Sequence, residues 1–429
     1  MKNSNRLDLL LYLWYILFLI SLLCCFRAVT SISIALIIIT GLFKQNNDNR
    51  NWISYRLKNG FLITCVLLFL FQVIEYLILK SQYNAAKELQ LKTAIPLVPL
   101  AVCCSSYLNS GIRQKLMRWY VWILTAVLFF CLLYASYKFY FLKAPGTVFF
   151  YHDFVSPFKQ HAVQVSIYAF VGLLFLLENT RKGVYLYKRY FHLLLILFIT
   201  SCIILLSSKL LIAFSAACLV YYAIAAVGEK RNLRPVIFIS LIIGLAAIAI
   251  VLFTQNKVSS RFTEIISGDN KLIEQKKFDP AIYFNGLQFR MLQWRFVKEI
   301  LTEQDAWFAG VAGNAQTLLD KKYISTNMYI GDGTTTDHGY LGYNTHNQFL
   351  QTLLQSGIPG LAVFVLICSA LVCMAIRRKN RELRIVVLLL IMYCLNESVF
   401  ETQYGITLFT FFPLFLYYGT QKIPDTATG

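Results

Sequence analysis

His346 is the residue of this chain best suited to proton transfer. It stands in the pair His346-Asn347, directly before a long apolar run, so an imidazole is predicted at a helix start near the membrane surface. An imidazole at such a place accepts a proton from an attacking hydroxyl group or contacts a phosphate. A histidine at a helix start is also commonly structural, but the Gly-x-Pro-Gly break at 357–360 favours a chemical role.

Two cations are candidates for binding an anionic group. Lys209 stands between two apolar runs in a very short connection, where a cation costs a few kcal/mol unless it is paired, hydrated or snorkelling. It is either a headgroup ligand or an interfacial lysine. Arg290, four residues before Trp294, offers a bidentate guanidinium to a phosphate, or is an exposed charge on an amphipathic helix.

The composition indicates a membrane protein. Of 429 residues, 58% are hydrophobic and only 14% are charged, well below the quarter that is usual in soluble domains. The 11 cysteines lie in or beside apolar runs without a Cys-x-x-Cys pattern, so they are predicted to be buried apolar residues rather than disulfides or zinc ligands.

The apolar runs predict an all-α polytopic membrane protein with about 12 transmembrane helices and one large loop outside. The first run is retained as mature structure because it is too long for a signal peptide and lacks a cleavage site. The predicted parts are N-terminal transmembrane helices over 1–253, a loop domain over 254–345, and C-terminal transmembrane helices over 346–429. The predicted spans are 9–26, 29–43, 59–79, 94–108, 119–140, 161–177, 191–207, 210–227, 235–253, 349–376, 385–398 and 404–418.

The distribution of Lys and Arg predicts the orientation. With both termini in the cytoplasm, the inside segments hold more than twice as many Lys and Arg residues as the short outside loops. The net charge of +19 is therefore mainly a topology signal, and its expected partner is anionic membrane lipid. Nucleic-acid binding is not expected, because the charge is dispersed over short loops.

The long loop has two predicted parts. Residues 286–303 form an amphipathic helix that is expected to follow the outer membrane boundary. Residues 325–345 form a loop rich in Gly, Thr and Tyr, with enough aromatic side chains to contact a sugar chain. No metal site is predicted there, because Asp332, Asp337 and His338 lack a recognisable ligand spacing.

Three blocks of this sequence resemble the O-antigen ligase and O-antigen polymerase superfamily of bacterial envelope enzymes. The resemblance is specific for about 200–418 and only topological before that. The blocks are Arg290-x-x-x-Trp294 with the glycine-rich stretch at 307–314, His346-Asn347 with the break at 357–360, and the stretch at 395–405.

The resemblance implies a glycosyltransferase of the inner membrane whose active site faces the periplasm. Its donor would be a glycan on undecaprenyl pyrophosphate, and its acceptor a sugar of the lipid A core, with no cofactor and no essential metal. It implies that His346 is catalytic, that Arg290 and Lys209 bind the pyrophosphate, and that Asn347 and Trp294 support them. Where the family commonly has arginine this chain has Lys209, which keeps the charge but loses the bidentate geometry.

Two other functions remain open. A polymerase would use the same site with a lipid-linked acceptor, and the shape of the His346-Asn347 block and the size of the loop favour the ligase. A transporter or flippase of lipid-linked glycans would show internal repeats and charges inside several spans. No repeat stands out, and Glu75, Glu178 and Glu397 lie at or near span ends. His152, Asp153 and His161 either line the acceptor side or are ordinary loop residues.

Overall fold

The computed structural model describes residues 2–48, 56–78, 85–105, 108–228, 270–333 and 337–419, and this part of the protein consists of helices joined by turns and loops. Short 3-10 turns join some of the helices, and these ranges contain no strand. The helices are α1 (Lys2–Leu23), α2 (Arg27–Asp48), α3 (Gly60–Ile78), α4 (Ala85–Lys92), α5 (Ala94–Cys103), α6 (Ser110–Tyr140), α7 (Tyr151–Phe154), α8 (Ala162–Lys182), α9 (Arg189–Leu205), α10 (Lys209–Gly228), α11 (Gly286–Glu303), α12 (Ala315–Ser325), α13 (Gln348–Arg377), α14 (Arg381–Cys394) and α15 (Gln403–Tyr418).

Six helices of the described residues are long and apolar enough to cross a membrane, namely α1, α2, α3, α6, α8 and α13. Helices α9 and α10 are apolar but shorter. The predicted span at 235–253 lies outside the described residues, and every other predicted span overlaps a helix. The all-helical membrane class is thus supported, while the count of about twelve spans stays a prediction.

Helix α8 lies at the centre of the bundle because it is apolar on all sides. In its apolar window, 94% of the residues are buried inside the protein, against 39% to 44% in the other long apolar helices. The missing side chain of Gly172 lets α6 approach closely through Leu124. The Tyr120 hydroxyl of α6 donates a hydrogen bond of 2.7 Å to the Tyr168 carbonyl. These two contacts hold α6 against α8.

The two ends of the bundle carry different side chains. At the end called the basic end here, Arg113 pairs with Glu382, and Arg56 and Arg378 lie over the rings of Tyr418 and Tyr417. At the opposite end, called the loop end, α8, α13 and α15 begin, and the residues between α14 and α15 meet the start of α13. Arg56, Arg113 and Arg378 belong to segments that the positive-inside rule assigns to the cytoplasm, and the orientation stays a prediction.

A second, smaller core lies at the loop end. Helix α11 is the predicted amphipathic helix, capped by Asn285 in a capping box with Gln288. Its apolar face packs on α12 and on Leu354, where Leu292, Phe296 and Leu319 are buried. Protein thus covers most of the apolar face, while Leu287 and Trp294 are exposed, and the location of α11 at the membrane boundary stays a prediction.

Helix α13 breaks where the Gly-x-Pro-Gly pattern predicts. Gly357 has φ +57° and ψ −164°, a conformation that only glycine adopts without strain. Before the break, Leu354 belongs to the small core, and after it Phe364 belongs to the bundle core. The glycine-rich stretch docks on this break: a Cβ at Gly310 would overlap the Gln355 carbonyl, and the Ile358 N–H donates to the Trp307 carbonyl at 2.9 Å. Two of the three motif blocks thus meet through their backbones.

Candidate active site

His346 is held in a strained but well-supported backbone conformation. Its φ is +45°, in the left-handed region, which costs a non-glycine residue of order 1 kcal/mol or more and is found preferentially at functional sites. The Asn344 side chain accepts a hydrogen bond from the His346 N–H at 3.0 Å. Asn347 follows as the N-cap of α13, accepting from Phe349 and Leu350, and its amide donates to the Leu395 carbonyl at 3.2 Å. The turn directs the imidazole out of the helix.

Glu397 is the direct partner of the imidazole. Its Oε2 lies 2.9 Å from Nδ1 of His346, and the two side chains are only 20% and 23% exposed. An ionised carboxylate accepts hydrogen bonds and donates none, so in the neutral imidazole the proton lies on Nδ1. Nε2 then carries the lone pair and is the atom that accepts a proton from a substrate.

Arg290, on α11, is the third member of the group formed with His346 and Glu397. Its Nη2 lies 3.6 Å from Oε1 of Glu397, and its Nε and Nη2 donate to the Asn396 carbonyl at 3.3 and 3.2 Å. Its Nη1 donates to the Gly286 carbonyl at 2.9 Å. A guanidinium has five N–H donors, and this side chain is 29% exposed, so it is positioned by protein while a face remains accessible.

The charge state of Glu397 follows from its surroundings. Burial by itself would raise the pKa of this carboxyl. The hydrogen bond and charge of His346, followed by the charges of Arg290 and His161, outweigh burial and hold the pKa below its usual value. Glu397 is therefore ionised at neutral pH. Its contribution to folded stability is present above the ordinary carboxyl pKa and is lost as the pH falls through the depressed value.

His161, at the start of α8, lies close enough to influence Glu397. Its ring packs edge-on against the ring of His152 at 4.6 Å, and the Ala162 N–H donates to Nδ1 of His152 at 3.4 Å. The segment 151–161, for which the sequence left two roles open, is thus brought to the same end of the bundle as His346. Asp153 is exposed in this segment.

Buried polar side chains behind the group hold its position. Thr345 is fully buried, and its hydroxyl bonds Oε1 of Gln351 at 3.0 Å and lies 3.2 Å from the Ser398 hydroxyl. The Gln348 side chain accepts from the Phe400 N–H at 2.7 Å. These contacts tie the turn before α13 to the connection between α14 and α15, so His346 and Glu397 are fixed relative to each other.

A second polar cluster lies beside the helix break. Lys92, only 1% exposed, donates to Oε1 of Gln355 at 2.8 Å, and Nε2 of Gln355 contacts both carboxylate oxygens of Glu401 at 3.2 Å. The Ser356 hydroxyl donates to Glu75 at 2.6 Å. This cluster anchors the break and the segment that carries Glu397.

The predicted site residues lie on several elements of the structure. Arg290, His346 and Asn347 gather around Glu397. Trp294 lies on the same helix as Arg290, with 46% of its surface exposed. Lys209 is the first residue of α10, following the buried Ser207 and Ser208.

Sequence reasoning assigned no role to Glu397 and did not single out Lys92. The signal for Glu397 was available, because an acidic residue beside a span end in the third motif block needs a cationic or histidine partner. Lys92 gave no comparable signal, since a lysine between two apolar segments is usually a snorkelling residue.

Comparison with known protein families gives a match over part of the chain. Residues 193–365 match a family model described as O-Antigen ligase, a range that contains Lys209, Arg290 and His346 but ends before Glu397. No curated protein matches the chain. The resemblance of this part of the chain to the O-antigen ligase superfamily is thereby confirmed.

Proposed function

We propose that this chain, whose residues 193–365 match the O-antigen ligase family, transfers a glycan from undecaprenyl pyrophosphate to a sugar hydroxyl of the lipid A core. The observation that carries the proposal is the meeting of His346, Glu397 and Arg290 at one end of a bundle of apolar helices. The family match supports the coarser class, a glycosyltransferase of the O-antigen ligase and polymerase type.

The proposed reaction is a single displacement. The acceptor oxygen attacks the anomeric carbon, its proton passes to Nε2 of His346, and the bond from that carbon to the pyrophosphate oxygen breaks. Glu397 keeps the other imidazole nitrogen protonated and offsets the positive charge that forms. Arg290 neutralises the departing pyrophosphate, which is already a good leaving group. Attack opposite the leaving group gives inversion at the anomeric carbon.

A transfer assay with purified protein tests the proposal. Undecaprenyl-pyrophosphate-linked glycan is supplied with either a lipid A-core oligosaccharide or a second lipid-linked glycan. Glycan-modified core is the expected product, without added nucleotide sugar. Product formed only on the lipid-linked acceptor would identify a polymerase, and no product on either acceptor would contradict both activities.

We also propose that the site faces the periplasm, with both termini cytoplasmic, as the basic end of the bundle suggests. A single cysteine introduced at the exposed Ser325 should react with a membrane-impermeant maleimide in intact spheroplasts. The matched control is a cysteine at the exposed Lys188, at the basic end, which should react only after lysis. The reverse pattern would reject the orientation, and unsubstituted protein provides the background from native cysteines.

A further inference from the structure

Tyr343 is an exposed aromatic residue beside the proposed base. Its ring centroid lies 5.7 Å from that of His346, and 46% of the residue is exposed. The side chain is not needed to fill either core, because neither hydrophobic cluster contains it. The ring of Tyr343 is therefore available to a ligand that approaches His346.

The backbone on both sides of Tyr343 is anchored by polar side chains. The Tyr343 carbonyl accepts from the Tyr323 hydroxyl at 3.0 Å and from Nε2 of Gln316 at 3.2 Å. The Gly342 N–H donates to Oδ1 of Asp320 at 2.9 Å, and the Asn344 carbonyl accepts from Gln293. The loop is thus fastened through its main chain.

Aromatic neighbours set the orientation of the Tyr343 ring. Phe289, which is only 8% exposed, meets it edge-on with centroids 5.5 Å apart, and Tyr340 lies 6.5 Å away. Phe289 also lies 6.2 Å from the His346 ring. Such aromatic pairs favour defined geometries, so the accessible surface of Tyr343 has a fixed position relative to the imidazole.

We propose that Tyr343 is a stacking platform for a sugar ring, which places a glycan against Nε2 of His346. One face of a pyranose presents C–H groups that pack on an aromatic ring, while its hydroxyls point outward to polar atoms. Tyr343 supplies the flat apolar surface, and His346 supplies an acceptor beside it. The proposal rests on the proposed function for the choice of glycan, which is either the donor glycan or the core acceptor.

Binding measurements on three ligands test this platform. They are undecaprenyl pyrophosphate without sugar, the same lipid carrying its oligosaccharide, and a soluble lipid A-core oligosaccharide. Tyr343→Leu should weaken one of the two glycan-containing ligands about five- to tenfold, the scale of one aromatic contact. The affinity for undecaprenyl pyrophosphate should not change. Tyr343→Phe, which keeps the ring, should bind all three like the unmodified protein.

The pattern of losses identifies the source of the sugar. If Tyr343→Leu loses affinity only for the oligosaccharide-linked lipid, the platform binds the donor. If it loses affinity only for the core oligosaccharide, the platform binds the acceptor. Tyr329→Leu is the matched control, since Tyr329 is 37% exposed and its hydroxyl binds Asp337 at 2.7 Å. Unchanged glycan affinities in Tyr343→Leu, equal losses on all three ligands, or no glycan affinity in the unmodified protein would overturn the proposal.

The test separates this inference from the proposed function. If Tyr343→Leu selectively loses glycan affinity but the unmodified protein shows no transfer, the role of Tyr343 in glycan binding is supported and the transferase function is contradicted. If the protein shows transfer and Tyr343→Leu has unchanged glycan affinities, the transferase function is supported and the role of Tyr343 in glycan binding is contradicted.

Discussion

At the basic end of the bundle, Arg113 and Glu382 form an ion pair whose side chains are 8% and 5% exposed, whereas at the loop end Arg290, Glu397 and His346 are 29%, 20% and 23% exposed. Both groups join a carboxylate to a cation or an imidazole, and both connect helices that are far apart in the sequence. They differ in how much of each group remains accessible.

The difference follows from what each group has to do. A buried charge must be paired within the protein, because breaking such a pair leaves a charge without solvent or partner. A reacting group must keep at least one polar atom for the substrate, as Nε2 of His346 does once Nδ1 is bound to Glu397. The pair of Arg113 and Glu382, called the closed pair here, is therefore expected to govern stability. The group of Arg290, Glu397 and His346, called the open group here, is expected to govern turnover.

The largest effect is expected for His346→Ala. Loss of the proton acceptor should slow transfer by roughly 10²–10⁴-fold. Donor binding should survive better than turnover, because Arg290 remains. The donor affinity and the single-turnover rate of this one variant show whether His346 is a base or a phosphate ligand. If His346 is a phosphate ligand, the variant should lose donor affinity and rate to a similar extent. His338→Ala is the control, as this histidine is exposed in the same loop. Transfer near the unmodified rate would leave His346 with a structural role only.

The next largest effect is expected for Glu397→Gln. Glutamine keeps the shape but loses the charge that favours Nδ1–H and the imidazolium, so the single-turnover rate should fall by at least about 10–100-fold, the range for partners that orient a functional histidine. Glu382→Gln, at the basic end, should leave the rate per folded molecule unchanged. If the single-turnover rate fell equally in Glu397→Gln and Glu382→Gln, the two ends of the bundle would not differ in their importance for turnover.

A smaller effect is expected for the arginine of the open group. Arg290→Lys should weaken donor binding roughly tenfold, because a point charge cannot copy a bidentate contact. Lys209→Arg should change donor binding by less than Arg290→Lys does, since it restores the residue common in the family. Donor Kd values for both variants give the comparison. Equal tolerance of the two substitutions would argue against a pyrophosphate role for Arg290.

The smallest effect on turnover is expected at the closed pair. Arg113→Met should destabilise the protein by about 3–5 kcal/mol, because Glu382 is left buried without its partner. The double replacement Arg113→Met with Glu382→Met should recover most of that loss. Thermal unfolding in detergent measures the stability, and the transfer rate per folded molecule should stay constant. A fall in rate at constant stability would show that the basic end takes part in catalysis.

The apolar runs were sufficient to predict most helices, because burial in lipid or in the bundle requires long apolar segments regardless of their neighbours. The Gly-x-Pro-Gly pattern likewise predicted the break in α13, since Gly357 adopts a conformation open only to glycine. The sequence predicted the apolar face of α11 but not the small protein core that covers most of it. An amphipathic pattern gives the apolar face of a helix but not whether lipid or protein covers it.

Sequence by itself determined the helical membrane class, because long apolar runs require it, and it named Arg290 and His346 as candidates through residue type and the resemblance of their motif blocks to the O-antigen ligase superfamily. Only the tertiary structure decided that Glu397, 51 residues from His346 in the chain, is its partner. It likewise decided that Gly310 and Gly357 meet through their backbones. Pairings of this kind depend on how helices pack, and no local pattern specifies which two distant side chains come within hydrogen-bonding distance.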